Sequence, residues 1–154
     1  MESPLVQVFD HILEGWDIPA PGGMLKITEA DAFVEVVPIP YAFATNLQHA
    51  VLWQRFWLRK IAGGRKKSGM QEWKNDFRVP EPREFKDLRR EFLEGLAEAR
   101  GIAASEPSDP EVVESLVRIA VHAAYHLGQM NLIKRSVRKA KTPPLHSGGE
   151  GAGG

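Results

Sequence analysis

The stretch that decides the fold reads His122-Ala123-Ala124-Tyr125-His126-Leu127-Gly128-Gln129. Around it, apolar residues recur at the three- and four-residue spacing of one helix face, with His126 inside this stripe and His122 on its margin. The stripe consists of Val112, Leu116, Ile119, Ala123, Leu127, Met130 and Val137. The pattern predicts a long helix that directs two histidines towards a core.

These two histidines are candidate metal ligands. They lie four residues apart, so both side chains leave one helix face about one turn apart and can reach a single ion. His49, in Asn46-Leu47-Gln48-His49, would supply a third ligand from another helix. Each buried, unpaired imidazole costs roughly 1–3 kcal/mol, and one ion would satisfy both. The alternative is a pair of partly buried histidines bonded to carbonyls or carboxylates, and the spacing leaves both interpretations open.

The residue after the first histidine argues against one class of enzyme. In the helical zinc motif of metallopeptidases, a glutamate at that position acts as general base, and here the position holds Ala123. A peptidase of that type is therefore disfavoured.

Composition limits the remaining classes. With 154 residues and 43% hydrophobic content, the chain is long enough for one well-buried domain. Twenty basic and twenty acidic residues give a net charge of zero, which argues against nucleic acid as a partner. Because there is no cysteine, a transition metal would need nitrogen and oxygen ligands. No apolar run approaches the length of a membrane span, so we expect no membrane partner and a cytoplasmic protein.

Periodicity and capping signals predict four helices in one all-α domain, residues 1–141. They begin at Ser3-Pro4, Tyr41, Arg83 and the Ser108-x-x-Glu111 capping box, and they end near Trp16, Ile61, Arg100 and Lys139, with Gly101 as the C-cap of the third. Residues 24–40 are predicted to be an ordered loop with a short extended piece at 33–37. The glycine-rich tail, residues 142–154, is predicted to be disordered.

A long connection separates the second helix from the third. It covers about residues 63–82, is predicted to be irregular, and can carry the chain from one end of a bundle to the other. The second and third helices could then run parallel, as in a four-helix bundle of up-down-down-up order. On the second helix, His49, Trp53 and Phe56 share a face, so Trp53 is expected to line a pocket beside an open coordination position.

The sequence resembles the DinB-like (DinB/YfiT) family of metal-binding four-helix bundles. The resemblance lies in Asn46-Leu47-Gln48-His49 and in the residues 122–129 quoted above, and it extends over about residues 3–140. It implies that His49, His122 and His126 bind a divalent metal, Zn²⁺ or Ni²⁺. It also implies an enzyme with a small-molecule substrate, either a thiol-dependent S-transferase or isomerase that uses a low-molecular-weight thiol, or a hydrolase.

Three further expectations follow from the residues. Neither histidine motif contains an acidic residue that could act as general base, which keeps open a non-catalytic, stress-associated metal- or ligand-binding bundle. Gln129 lies on the same side of the helix as His122, so we expect it to line the pocket or to contact a ligand residue, without binding the metal. The large aromatic inventory predicts a homodimer, unless the crossover covers those side chains.

Overall fold

A computed structural model describes residues 3–63 and 69–142, and within these ranges the chain is all-helical, with no strand. The α-helices are α1 Pro4–Glu14, α2 Pro21–Met24, α3 Glu29–Ala32, α4 Phe43–Ile61, α5 Met70–Lys74, α6 Phe85–Ala104 and α7 Pro110–Lys141, and a 3₁₀ helix, Pro82–Glu84, precedes α6. The all-α prediction is confirmed. The four predicted helices correspond to α1, α4, α6 and α7.

Local signals account for the start and end of α1. Ser3 Oγ accepts a hydrogen bond from the Leu5 backbone N–H at 3.3 Å, and Pro4 occupies the first helical position, where no amide hydrogen is needed. Gly15 ends the helix in a left-handed conformation with φ 75°. A Cβ there would lie 2.4 Å from the Ala20 nitrogen, so the turn requires glycine.

Two predicted caps are wrong. The N-cap of α7 is Asp109, whose Oδ1 accepts from the Glu111 N–H at 3.0 Å, so the Ser108 capping box is not formed. Asp109 is the better placed acceptor because Pro110 starts the helix directly after it. Gly101 lies inside α6, which continues to Ala104 because Ala103 still packs in the core.

The four long helices share one hydrophobic core. Helix α4 packs against both α7 and α6, and α1 packs against α6 and α7. The largest fully buried side chains are Phe9, Phe43, Phe85, Phe92, Leu25, Leu47, Leu96, Leu116, Ile119, Leu127, Met130 and Ile133. The stripe predicted around His126 is therefore the face that α7 presents to this core.

Residues 21–40 are more structured than predicted. They form α2, α3 and turns, and no strand forms at 33–37. The Lys134 side chain fastens α2 to α7, since its Nζ donates to the carbonyl oxygens of Gly23 and Met24 at 3.0 and 2.9 Å. These bonds explain how a lysine can be buried in α7, although burial lowers its pKa.

The crossover between α4 and α6 contains ordered structure as well. Helix α5 lies within it, and the Arg59 guanidinium at the end of α4 donates to Glu72 Oε1 of α5 at 2.7 Å. Residue 142 ends the described part of the chain, so the predicted disordered tail lies almost wholly outside it. No helix among the described residues is long and apolar enough to cross a membrane.

Candidate metal centre

Three histidines from two helices meet at one point. Helix α4 supplies His49 and α7 supplies His122 and His126, and one ring nitrogen from each lies within 4.8 Å of the others. His122 Nε2 is 3.1 Å from His49 Nε2 and 3.0 Å from His126 Nε2. His126 is 2% exposed, whereas His122 is half-buried, so the cluster is accessible from the side of His122.

The opposite ring nitrogens of two of these histidines are held by acceptors. His49 Nδ1 donates to Asp76 Oδ1, and His126 Nδ1 donates to Asn46 Oδ1 at 2.8 Å. The Asn46 amide is oriented in turn, because its Nδ2 donates to Gln129 Oε1 at 3.0 Å. An ionised carboxylate and an amide oxygen can only accept, so the proton of each neutral ring lies on Nδ1.

With the proton on Nδ1, the three Nε2 atoms that face one another have too few hydrogens to form hydrogen bonds between all of them. His49 Nε2 and His126 Nε2 both present lone pairs, and His122 Nε2 can donate to only one of them. A cation between the nitrogens would satisfy all three lone pairs. The two spacings from His122 Nε2, 3.1 and 3.0 Å, are close to the roughly 3.3 Å between two imidazole nitrogens on one tetrahedral Zn²⁺. The residues present therefore fit a divalent metal ion.

The electrostatics of the cluster favour neutral His122 and His126 rings. Burial lowers the pKa of His122 to about 3, and the neighbouring His126 and His49 add to the shift. Burial likewise lowers the pKa of His126 to about 4, with a further contribution from His49. Because imidazole binds a metal in its neutral form, protons do not compete for these two nitrogens at neutral pH.

The crossover closes the cluster from the side of α4. Asp76 and Phe77 follow α5; Asp76 Oδ1 also accepts from Trp53 Nε1 at 3.2 Å, and the Phe77 ring stacks on His49 at 4.0 Å between centroids. Phe77 has a left-handed backbone conformation with φ 51°, and its other stacking partner is Tyr41 at 4.8 Å. The crossover thus fixes the His49 ring by a hydrogen bond and by stacking.

A cavity of about 480 Å³ opens beside the cluster. Its lining residues are His49, Trp53, Phe56, Trp57, Gly69, Trp73, Asp76, Arg118 and His122. The Trp57 ring lies edge-on to His122 with 5.1 Å between centroids. We call the part of this cavity formed by Trp53, Phe56, Trp57 and Trp73 the aromatic vestibule.

The residues predicted from sequence are placed as follows. Trp53 lies in the cavity wall, as just described. Gln129 lies behind His126, at the end of the hydrogen-bond chain through Asn46, and it lines a different hollow of about 220 Å³ beside Pro38, outside the cavity. A further histidine, His11, which was not among the predicted ligands, lies apart from the cluster and contacts Asp17 Oδ2 at 3.1 Å.

Sequence reasoning did not identify Asp76 or the role of Asn46. Asp76 is 27 residues from His49, in a segment predicted to be irregular. The only signal in the sequence is the adjacent Phe77, an aromatic residue that could pack this segment against the helices. Asn46 lies one turn before His49 on α4, which is a signal for a shared face. Its contact with a histidine of α7 depends on how the two helices pack.

Comparisons with known proteins do not identify a family for this chain. No protein-family model matches the chain, and no curated protein or solved structure does. The DinB-like resemblance accordingly depends on the two histidine motifs.

Proposed function

We propose that this chain is a DinB-like, metal-dependent enzyme in which His49, His122 and His126 hold a divalent ion, Zn²⁺ or Ni²⁺. Helices α1, α4, α6 and α7 would form the up-down-down-up bundle of that family. The observation that supports the proposal is the convergence of three Nε2 atoms that share at most one hydrogen. Three neutral ligands fit a borderline metal better than they fit a calcium or magnesium ion, which prefer oxygen.

The chemistry of the cavity favours a thiol as nucleophile. A divalent ion held by three neutral ligands lowers the pKa of a thiol or water beside it. Among the described residues of the lining Asp76 is the only carboxylate, and its Oδ1 already accepts from His49 and Trp53. A free thiol has a pKa near 8.5, far below that of free water, so the thiol is the more readily ionised of the two nucleophiles. We therefore propose transfer of a low-molecular-weight thiol to a small electrophile.

The roles of the surrounding residues follow from their contacts. Asp76 and Asn46 orient the two rings that they bond, which keeps the Nε2 lone pairs directed at the ion. The aromatic side chains give one side of the centre an apolar wall, which stabilises charges less well than water does. Trp57 restricts the half-buried His122 ring.

The experiment combines metal analysis with turnover. Stripped protein is titrated with Zn²⁺ and Ni²⁺, and we expect one ion per chain, lost in His126→Ala and retained in the control His11→Ala. The loaded protein is then assayed with an aryl halide in the presence and absence of glutathione, bacillithiol or cysteine. Thiol-dependent turnover supports the proposal, and failure to bind either metal overturns it.

Two other results would assign a different function. Thiol-independent ester hydrolysis by the loaded protein would identify a hydrolase. Tight metal binding without turnover would identify the non-catalytic metal-binding bundle, which is favoured by the lack of a second carboxylate in the described lining.

A further inference from the structure

The aromatic vestibule forms a continuous apolar wall next to the metal centre. Trp53 lies at its middle, with ring centroids 5.5 Å from Phe56, 5.9 Å from Trp57 and 5.7 Å from Trp73. Trp57 continues the wall to His122. Aromatic faces at these distances provide a large, rigid surface for a flat apolar group.

Part of this surface is exposed to solvent. Trp73, on α5, is 68% exposed although it belongs to the wall. An exposed tryptophan at the mouth of a concave site leaves apolar area that a ligand can cover. The cavity volume of about 480 Å³ is in the range of small-molecule sites.

Charged side chains of the cavity determine which charge a flat ligand should carry. An aromatic enclosure by itself would also suit a quaternary ammonium group. Here Arg118 lines the cavity, and the Nε and Nη2 groups donate to Glu114 Oε1 at 2.9 and 2.7 Å. The Nη1 group makes no hydrogen bond within the described ranges, so the guanidinium retains donors for a second anion.

A second cation, Lys60, acts on the carboxylate that pairs with Arg118. The hydrogen bond from Arg118 lowers the pKa of the Glu114 carboxyl. The positive charges of Arg118 and Lys60 lower it further. Glu114 is thus influenced by Lys60 as well as by Arg118, while Arg118 is the cation and Asp76 the carboxylate of the described lining. A divalent ion at the histidines would make the cavity still less favourable for a cationic ligand.

We propose that the vestibule binds small molecules that combine a flat apolar ring with a carboxylate, the ring against Trp53 and Trp73 and the carboxylate at Arg118. This inference rests on the proposed function, whose substrate class it names. The carboxylate binds the guanidinium, and the apolar part of the molecule lies beside the metal centre.

The test is calorimetric titration of the full chain, metal-loaded and metal-free, with four probes. They are 3-phenylpropionate, the neutral 3-phenyl-1-propanol, phenyltrimethylammonium, and propionate, which has no ring. We expect 3-phenylpropionate to bind about tenfold tighter than the alcohol because of the charge-assisted hydrogen bonds. The ammonium and propionate should bind more weakly still.

Variants test whether Arg118 binds the carboxylate and whether Trp73 binds the ring. Arg118→Gln should weaken 3-phenylpropionate about five- to tenfold without changing the affinity for the alcohol, and Arg118→Lys should restore part of the loss. The control is Arg90→Gln, since Arg90 is also an exposed, ion-paired arginine but lies on α6. Trp73→Leu should weaken the binding of both 3-phenylpropionate and 3-phenyl-1-propanol, whereas Trp16→Leu removes an exposed tryptophan outside the vestibule and should weaken neither.

The inference is overturned if the ammonium or the alcohol binds as tightly as 3-phenylpropionate, if propionate matches it, or if Arg118→Gln has no effect. These results differ from a failure of the proposed function. A chain that binds no metal would refute the metal centre, while Arg118-dependent binding of 3-phenylpropionate to that same chain would still support the vestibule.

Discussion

Asp76 shows how a residue that does not face the metal can set its affinity. Its Oδ1 accepts from His49 Nδ1, so its negative charge makes the imidazole a stronger ligand and fixes the ring orientation. Asp76→Asn should therefore weaken Zn²⁺ binding about 10- to 100-fold while stoichiometry at saturation stays at one. A competition titration with a chromophoric chelator measures this change.

The chain contains a matched control for Asp76. His11 and Asp17 form another histidine–aspartate pair, at 3.1 Å, outside the cluster. Asp17→Asn should leave Zn²⁺ affinity unchanged. Co²⁺ spectra would report the ligand field directly; an unaltered spectrum and affinity in Asp76→Asn would show that Asp76 serves only to hold the crossover.

Gln129 is expected to act through Asn46. Gln129→Ala removes the acceptor for Asn46 Nδ2, which loosens the amide that holds His126 but leaves all three ligands in place. Metal stoichiometry should match that of the parent, with affinity reduced a few-fold, while His126→Ala should lose the metal. Loss of metal from a folded Gln129→Ala protein, measured by elemental analysis, would contradict this role.

At the scale of elements, the packing of α4 on α6 requires a glycine. A Cβ on Gly95 would lie 2.2 Å from Gln54 Oε1, and Gln54 Nε2 donates to the Phe92 carbonyl at 3.2 Å, so the side chain cannot move without breaking a buried bond. Gly95→Ala should destabilise the fold by about 1–3 kcal/mol, because the unpaired polar group outweighs the gain in helix propensity.

Gly101 provides the comparison within the same helix. Apart from the adjacent backbone of its own helix, no heavy atom of the described residues lies within 4 Å of the position of its Cβ, so Gly101→Ala should stabilise by about 0.5–1 kcal/mol through helix propensity alone. Urea denaturation of both variants tests the pair. Equal effects in the two variants would show that α4 and α6 do not approach this closely.

At the scale of the whole molecule, the metal-free protein should lose stability in acid. The pKa values of His122 and His126, about 3 and about 4, lie below the ordinary value of 6.5, so between these limits the unfolded chain binds protons that the folded chain does not. The free energy of unfolding should be level above pH 6.5 and fall below it, by at most about 1.4 kcal/mol per pH unit for each histidine.

Carboxylates also titrate in acid, so a variant is needed to isolate the histidines. The double variant His122→Gln, His126→Gln should show a shallower decline between pH 6.5 and 5 in urea titrations, whereas His11→Gln should follow the parent. Parallel curves for the parent and the double variant would show that these rings are protonated in the folded state.

Association between chains stays a prediction. Trp16 and Trp73 are 65% and 68% exposed, so the crossover does not cover every aromatic side chain. We expect a dimer by light scattering at micromolar concentration, and a monomer mass would refute it.

The sequence by itself determined the four long helices, the buried stripe of α7 and the three histidines. Those features have a local cause: apolar periodicity, proline and serine at helix starts, and the one-turn spacing of His122 and His126. The end of α6 was missed because tertiary packing of Ala103 outweighs the weak preference of Gly101 for a helix end.

Only the tertiary structure decided which groups hold the histidines. Asp76 reaches His49 across 27 residues, Asn46 reaches His126 across 80, and Lys134 reaches Gly23 across 111. No periodicity in a sequence encodes such contacts, because they depend on the angle and register at which α4, α7 and the crossover pack. The tautomers of His49 and His126, which leave two Nε2 lone pairs facing His122, are set by those same contacts, so the chemical character of the site is a property of the packed molecule.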